Sequence, residues 1–156
     1  MKTLRFILVL TALCGFPLTA AAAKTFVGPA AWNHTATGVP GAARMVDVWK
    51  QNGSQNSQVL NVVVDTSVAY ADAVTQVRQN AQDGPMKITT DKDRPCAGVT
   101  AHEFDVEFDP GTGTKILYAY TIVPDPKGIT RITYSRPSDA PFNKDVQAAL
   151  DAFCTP

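Results

Sequence analysis

Few side chains in this sequence have the type and spacing for chemistry. His102 heads a run in which Glu103, Asp105, Glu107 and Asp109 recur at every second position. A histidine beside carboxylates is the raw material of general acid–base catalysis. One reading is therefore a small hydrolase-like enzyme using His102 with Glu103 or Asp105. Strand alternation counts against it, because His102 and Glu103 point to opposite faces and only a bulge would let them cooperate. A second reading makes the Glu103–Asp109 acidic row a cation site, with carboxylates about 7 Å apart along one face. Calcium, however, wants roughly six to eight oxygens converging from a curved loop, and a straight strand spreads them. The plainer expectation is a solvated sheet face relieved by cross-strand Lys115 and Arg131.

Other catalytic arrangements are missing from the sequence. No second histidine follows His102 four residues on, so there is no zincin pattern, and His34 is the one other histidine. None of Ser54, Ser57, Ser67, Ser135 and Ser138 sits in a G-x-S-x-G elbow. Gly111-Thr112-Gly113 lacks the strand–turn–helix setting of a phosphate loop. No catalytic residue, metal or cofactor is expected, and a non-enzyme is the favoured reading.

The aromatic residues suggest binding instead. Tyr118, Tyr120 and Tyr134 fall on one expected inner face, where three phenols could line a pocket with polar handles. Trp32 and Trp49 could close it and His102 stands at its edge. These six residues form the candidate ligand-binding set, for a small apolar or aromatic ligand. The alternative is an ordinary filled core whose phenol groups reach the rim.

The compartment is read from the leader and the cysteines. A basic start at Lys2 and Arg5, an apolar run from Phe6 to Leu13 and the small residues Ala20 to Ala23 have the anatomy of a secretory signal peptide. Cys14 follows the bulky Leu13, which disfavours lipid attachment, and the run is shorter than the ~20 residues of a membrane span. Cleavage after Ala23 leaves 12 basic and 14 acidic residues, a net charge of −2. That balance gives no electrostatic case for nucleic acid or an anionic membrane. Cys96 and Cys154 remain, and in an oxidising compartment they are expected to pair. The bridge would close a loop of about 58 residues, for which chain entropy gives about 4 kcal/mol. The expected location is secreted or periplasmic.

These residues need elements to position them. Residues 24–44 read as an extended arm with a loop at 37–41. Met45 to Trp49 and Val59 to Val64 read as strands, with Asn52-Gly53 a turn signal between them. Asp65, Thr66 and Ser67 offer capping oxygens, and Tyr70, Val74, Val77 and Ala81 mark one face of a helix over 67–82, stopped by Gly84. Met86 to Thr90 suggests a short strand, and 91–95 a charged loop leading to Cys96. Alternation then marks three strands, through His102–Phe108, Ile116–Ile122 and Ile132–Tyr134. Two five-residue loops would set Phe104 opposite Tyr120, Tyr120 opposite Ile132 and Tyr118 opposite Tyr134. Asn143 can cap a last helix with Val146, Leu150 and Phe153 as its apolar stripe.

The expected fold class is α+β: an antiparallel sheet with a C-proximal three-strand meander, packed by two helices as an α/β/α sandwich. The expected organisation is a signal peptide over 1–23, an arm over 24–44 and one domain over 45–156. From Trp32 to Phe153 this order of elements, with the Pro29-Ala30-Ala31-Trp32 lead-in and the closing Val146/Leu150/Phe153 helix, resembles the PsbP-like α/β/α sandwich family. The resemblance implies a scaffold that more often binds or assists than catalyses, and it carries no functional residue across. The leading expectation is a non-catalytic binding or accessory protein, with a protein partner or a small ligand.

Overall fold

The computed structural model describes residues 24–39, 41–51 and 58–156. The leader, Pro40 and the Asn52-Gly53 turn signal lie outside the described residues. Among the described residues the chain forms β1 (Asn33–Thr37), β2 (Arg44–Lys50), β3 (Val59–Asp65), α1 (Tyr70–Asp83), β4 (Met86–Cys96), β5 (Val99–Phe108), β6 (Ile116–Asp125), β7 (Gly128–Pro137) and α2 (Lys144–Cys154). The strands make one antiparallel sheet in the order β1-β2-β3-β7-β6-β5-β4. An antiparallel seven-stranded sheet with two helices is an α+β fold. No described helix is long and apolar enough to cross a membrane.

Because side chains alternate along a strand, the sheet feeds two separate apolar clusters. Leu60, Val62, Ile132 and Tyr134 pack with Val146, Leu150 and Phe153 of α2, and with Phe26, Trp32 and Trp49. Phe104, Val106, Ile122 and Ile129 pack with Ala73, Val74 and Val77 of α1. Burying a side chain of this size contributes roughly 1.5–3 kcal/mol. The helices therefore serve opposite faces of the sheet.

The helix ends follow local chemistry. Asn143 caps α2, its Oδ1 accepting from the N–H of Asp145 at 2.9 Å and of Val146 at 3.4 Å. At α1 the expected cap does not form. Asp65 Oδ1 accepts instead from the N–H and hydroxyl of Ser67, at 2.9 and 2.6 Å, so the helix begins three residues later than expected, after Ala69. These two bonds hold the Asp65 carboxyl below its usual range. Gly84 ends the helix in an extended conformation (φ −127°, ψ −179°), as the following Pro85 requires.

The segment expected to be a short strand and a charged loop is one continuous strand, β4. It lies at the sheet edge, where Pro95 costs no ladder bond and charges discourage further pairing. A register shift at Thr89 marks a bulge. Part of the expected arm is also strand, since β1 pairs with β2 from Asn33 opposite Lys50 to Thr37 opposite Val46. The sulfurs of Cys96 and Cys154 lie at bonding distance, 2.03 Å, joining the end of β4 to the end of α2.

Register decides which tyrosines meet. Phe104 faces Tyr120, Val106 faces Tyr118 and Phe108 faces Ile116, as alternation predicts. The next hairpin differs by one residue. Its turn is Pro126-Lys127, with Asp125 opposite Gly128, so Tyr120 faces Thr133 and Tyr118 faces Ser135. A one-residue slip inverts a strand. Ile132 and Tyr134 consequently belong to the α2 side, and Arg131 and Thr133 to the α1 side.

Candidate functional site

His102 is the most enclosed titratable residue of the α1 face, its side chain 9% exposed. Its Nδ1 lies 2.7 Å from Asp93 Oδ1 and its Nε2 2.7 Å from Asp91 Oδ1. Arg78 of α1 donates to Asp91 through Nε and Nη2, both at 2.8 Å. The Arg78 guanidinium also lies over the Phe104 ring, 5.6 Å from its centroid, a cation–π geometry. The Arg78 bonds first, and His102 second, hold the Asp91 carboxyl down to a pKa of about 2. Burial and the Asp93 charge raise the Tyr70 phenol nearby. Both ring nitrogens are engaged by carboxylates, and Arg78 Nη2 also approaches Nε2 at 3.4 Å, so neither nitrogen is left free for a substrate.

The carboxylates expected to work with His102 are elsewhere. Asp91 and Asp93 come from β4, whereas Glu103 points to the α2 side and lies 2.5 Å from Arg94 Nη1 and 3.6 Å from Lys92 Nζ. Glu107 pairs with Lys115 at 2.6 Å, as cross-strand relief predicts. Arg131 takes no part in that relief, because the register turns it to the other face. Asp109 accepts from the Gly111 N–H at 2.8 Å. Glu103, Glu107 and Asp109 thus have local partners, and among the described residues no group of three His, Cys, Asp or Glu converges as a metal site requires.

The aromatic set is divided between the two faces. Tyr134 is 1% exposed and packs in the α2 cluster, where its hydroxyl donates to Gln58 Oε1 and accepts from the Asn143 N–H. Trp32 and Trp49 are buried in that same cluster, beside Phe26 of the N-terminal stretch. The His34 ring stacks on Trp49 with centroids 4.4 Å apart, and its Nε2 reaches Asp47 at 2.8 Å. Tyr118 and Tyr120 stay together on the α1 side, 6.1 Å between centroids. Burial raises the Tyr120 phenol above its usual range, and neighbouring Tyr118 adds to the shift.

Tyr120 reaches an opening on that face that several polar groups share. A cavity of about 340 Å³ lies between α1 and the sheet, where Gln76, Val77 and Asn80 overhang β2, β3, β6 and β7. Its size falls in the range of small-molecule sites, roughly 300–1,000 Å³. It exists because α1 packs over β4, β6 and β7 and leaves the β2–β3 side of this face without a helix. Asn61, Thr133 and Arg131 contribute polar groups, and Val46, Val63 and Val106 contribute apolar wall. Two arginines, Arg44 and Arg131, line the cavity and no carboxylate does.

Comparison with protein-family models and with curated proteins returns no match. Sequence reasoning missed Arg78, Asp91 and Asp93, which lay in an expected helix surface and an expected loop. It also missed Arg44, Asn61, Arg131 and Thr133. The place of Asn61 between Leu60 and Val62 was a signal for it, but Arg131 and Thr133 depended on the β6–β7 turn.

Proposed function

We propose that this protein is a non-catalytic binding or accessory protein of a secreted or periplasmic compartment, and that its ligand seat is the cavity between α1 and the sheet. The scaffold would be an α/β/α sandwich of the kind implied by the PsbP-like resemblance. The observation that carries the reading is a half-covered sheet face with a lined, polar-and-apolar opening at the helix edge. Of the six aromatic and histidine candidates, Tyr120 is the one that lines it. Tyr134, Trp32 and Trp49 would support the fold from the other side.

The hydrolase reading gains little from the same geometry. Both His102 nitrogens are engaged by carboxylates, and Glu103 is engaged by Arg94. The cation reading is weakened by the pairing of Glu103 and Glu107 with basic side chains. Native mass spectrometry of the protein taken from its own secretory compartment tests the binding reading. A stoichiometric small-molecule adduct supports it. Unliganded protein that also captures nothing from a concentrated extract of that compartment's small molecules contradicts it.

A further inference from the structure

Resting on that binding reading, we infer that the cavity is an anion site, built to take a small organic acid whose carboxylate seats on Arg131. Arg131 Nε is buried and has no hydrogen-bond partner among the described residues. Leaving a buried donor unpaired costs about 1–3 kcal/mol, and more on a charged group. The cost is recovered when an anion completes the pair. A guanidinium offers a rigid fork of donors that fits a carboxylate edge to edge.

The surroundings fit this role. Arg131 lies beside Val63 across the β3–β7 ladder and beside Ile122 across the β6–β7 ladder, so its stem is held between apolar neighbours. Arg44 supplies a second positive charge at the mouth, its side chain 59% exposed. The nearest competing carboxylate is Asp65. It does not line the cavity; one of its oxygens serves Ser67, and the other is 4.0 Å from Arg44 Nε. Asn61 and Thr133 add neutral hydrogen-bonding groups near Arg131. Val46, Val63, Val77, Met86 and Val106 supply apolar wall, and Gln76, Asn80 and Tyr120 complete the lining. Bare inorganic phosphate would leave that wall uncovered, whereas an acid with an aromatic or short aliphatic body would cover it.

Proton–nitrogen correlation spectra of the exported, oxidised protein provide the test, following the Arg131 side-chain Nε–Hε signal and the Val63 and Thr133 amides. The probes are phenylacetate, its neutral analogue phenylacetamide, octanoate and inorganic phosphate. Phenylacetate is expected to shift all three signals, with phenylacetamide and phosphate each binding at least tenfold more weakly. Arg131→Gln should weaken phenylacetate at least tenfold, and Arg131→Lys should restore part of the loss. The comparison of phenylacetate with phenylacetamide needs no variant, so it stands even where Arg131→Gln does not fold. Equal binding of the two overturns the anion inference and leaves the cavity as a neutral ligand's seat. No response to phenylacetate or to octanoate also overturns it. A neutral adduct in the native mass spectrum would overturn the anion inference while supporting the binding reading.

Discussion

At the scale of single residues, His102 is a bridge, its two ring nitrogens reaching Asp91 and Asp93 at once. Its ring separates two aspartates that would otherwise repel each other, and Arg78 extends the arrangement to the helix. His102→Ala should lower the free energy of unfolding by roughly 2–4 kcal/mol, because it strands facing charges and empties space beside Phe104. Urea denaturation would measure this, and a change below about 0.5 kcal/mol would mean that the cluster carries no stability. The pH dependence is set by Asp91. Its carboxyl is depressed to about 2 in the fold, from about 3.9 in an unfolded chain. A depressed carboxyl contributes stability that is fully present above the unfolded value and is lost as pH falls through the folded one. Arg78→Met should therefore destabilise the protein above about pH 4, with the gap to the wild type closing between about pH 4 and pH 2. A gap independent of pH across that window would contradict the assignment.

At the scale of elements, the sequence was legible where hydrophobic period and capping chemistry agreed. Asn143 ahead of Val146, Leu150 and Phe153 announced α2, and strict alternation set the β5–β6 register correctly. The β6–β7 hairpin was misread because Pro124 and Asp125 look like turn residues. They are strand residues here: β6 loses its β5 neighbour after Ile122, so Pro124 can continue the strand without spoiling a ladder. That one-residue error moved Tyr134 and Arg131 to the wrong faces, and with Arg131 the cavity's Thr133. The edge strand β4 was hidden for a different reason. Its alternating charges resemble a solvated loop, yet Asp91 and Asp93 answer His102 while Lys92 and Arg94 answer Glu103.

Two predictions belong to this scale. A Cβ at Gly128 would sit 2.1 Å from the Asp65 carbonyl oxygen and 2.7 Å from Thr66 Cα, so the start of β7 tolerates no side chain. Gly128→Ala should cost about 1–3 kcal/mol in urea denaturation, and a neutral result would contradict the tight two-residue turn. Replacing both Cys96 and Cys154 by Ala should cost up to about 4 kcal/mol. Hydrogen exchange should then show the loss of protection concentrated in α2 and the end of β4, and uniform loss would contradict a local staple.

At the scale of the whole molecule, the sheet is treated unequally on its two sides. The α2 side is packed by a helix and by Phe26, Trp32 and Trp49, with an opening of about 350 Å³ where Lys24, Val123 and Phe153 meet. Lys24 at its margin donates to the carbonyl oxygens of Ala152 and Thr155 near the end of α2, where a cation is favoured. The α1 side is covered by the helix over β4, β6 and β7 and open toward β2 and β3. The part left open toward β2 and β3 is the part proposed above as the ligand seat. The measurement that tests this most directly compares native mass spectra of the wild type and Thr133→Trp, both purified from the protein's own secretory compartment. Trp at position 133 fills the cavity floor without touching the α2 core. The expected result is a stoichiometric adduct on the wild type that is absent from a folded Thr133→Trp protein. An adduct retained in full by the variant would show that the ligand seat is somewhere other than the cavity beneath α1.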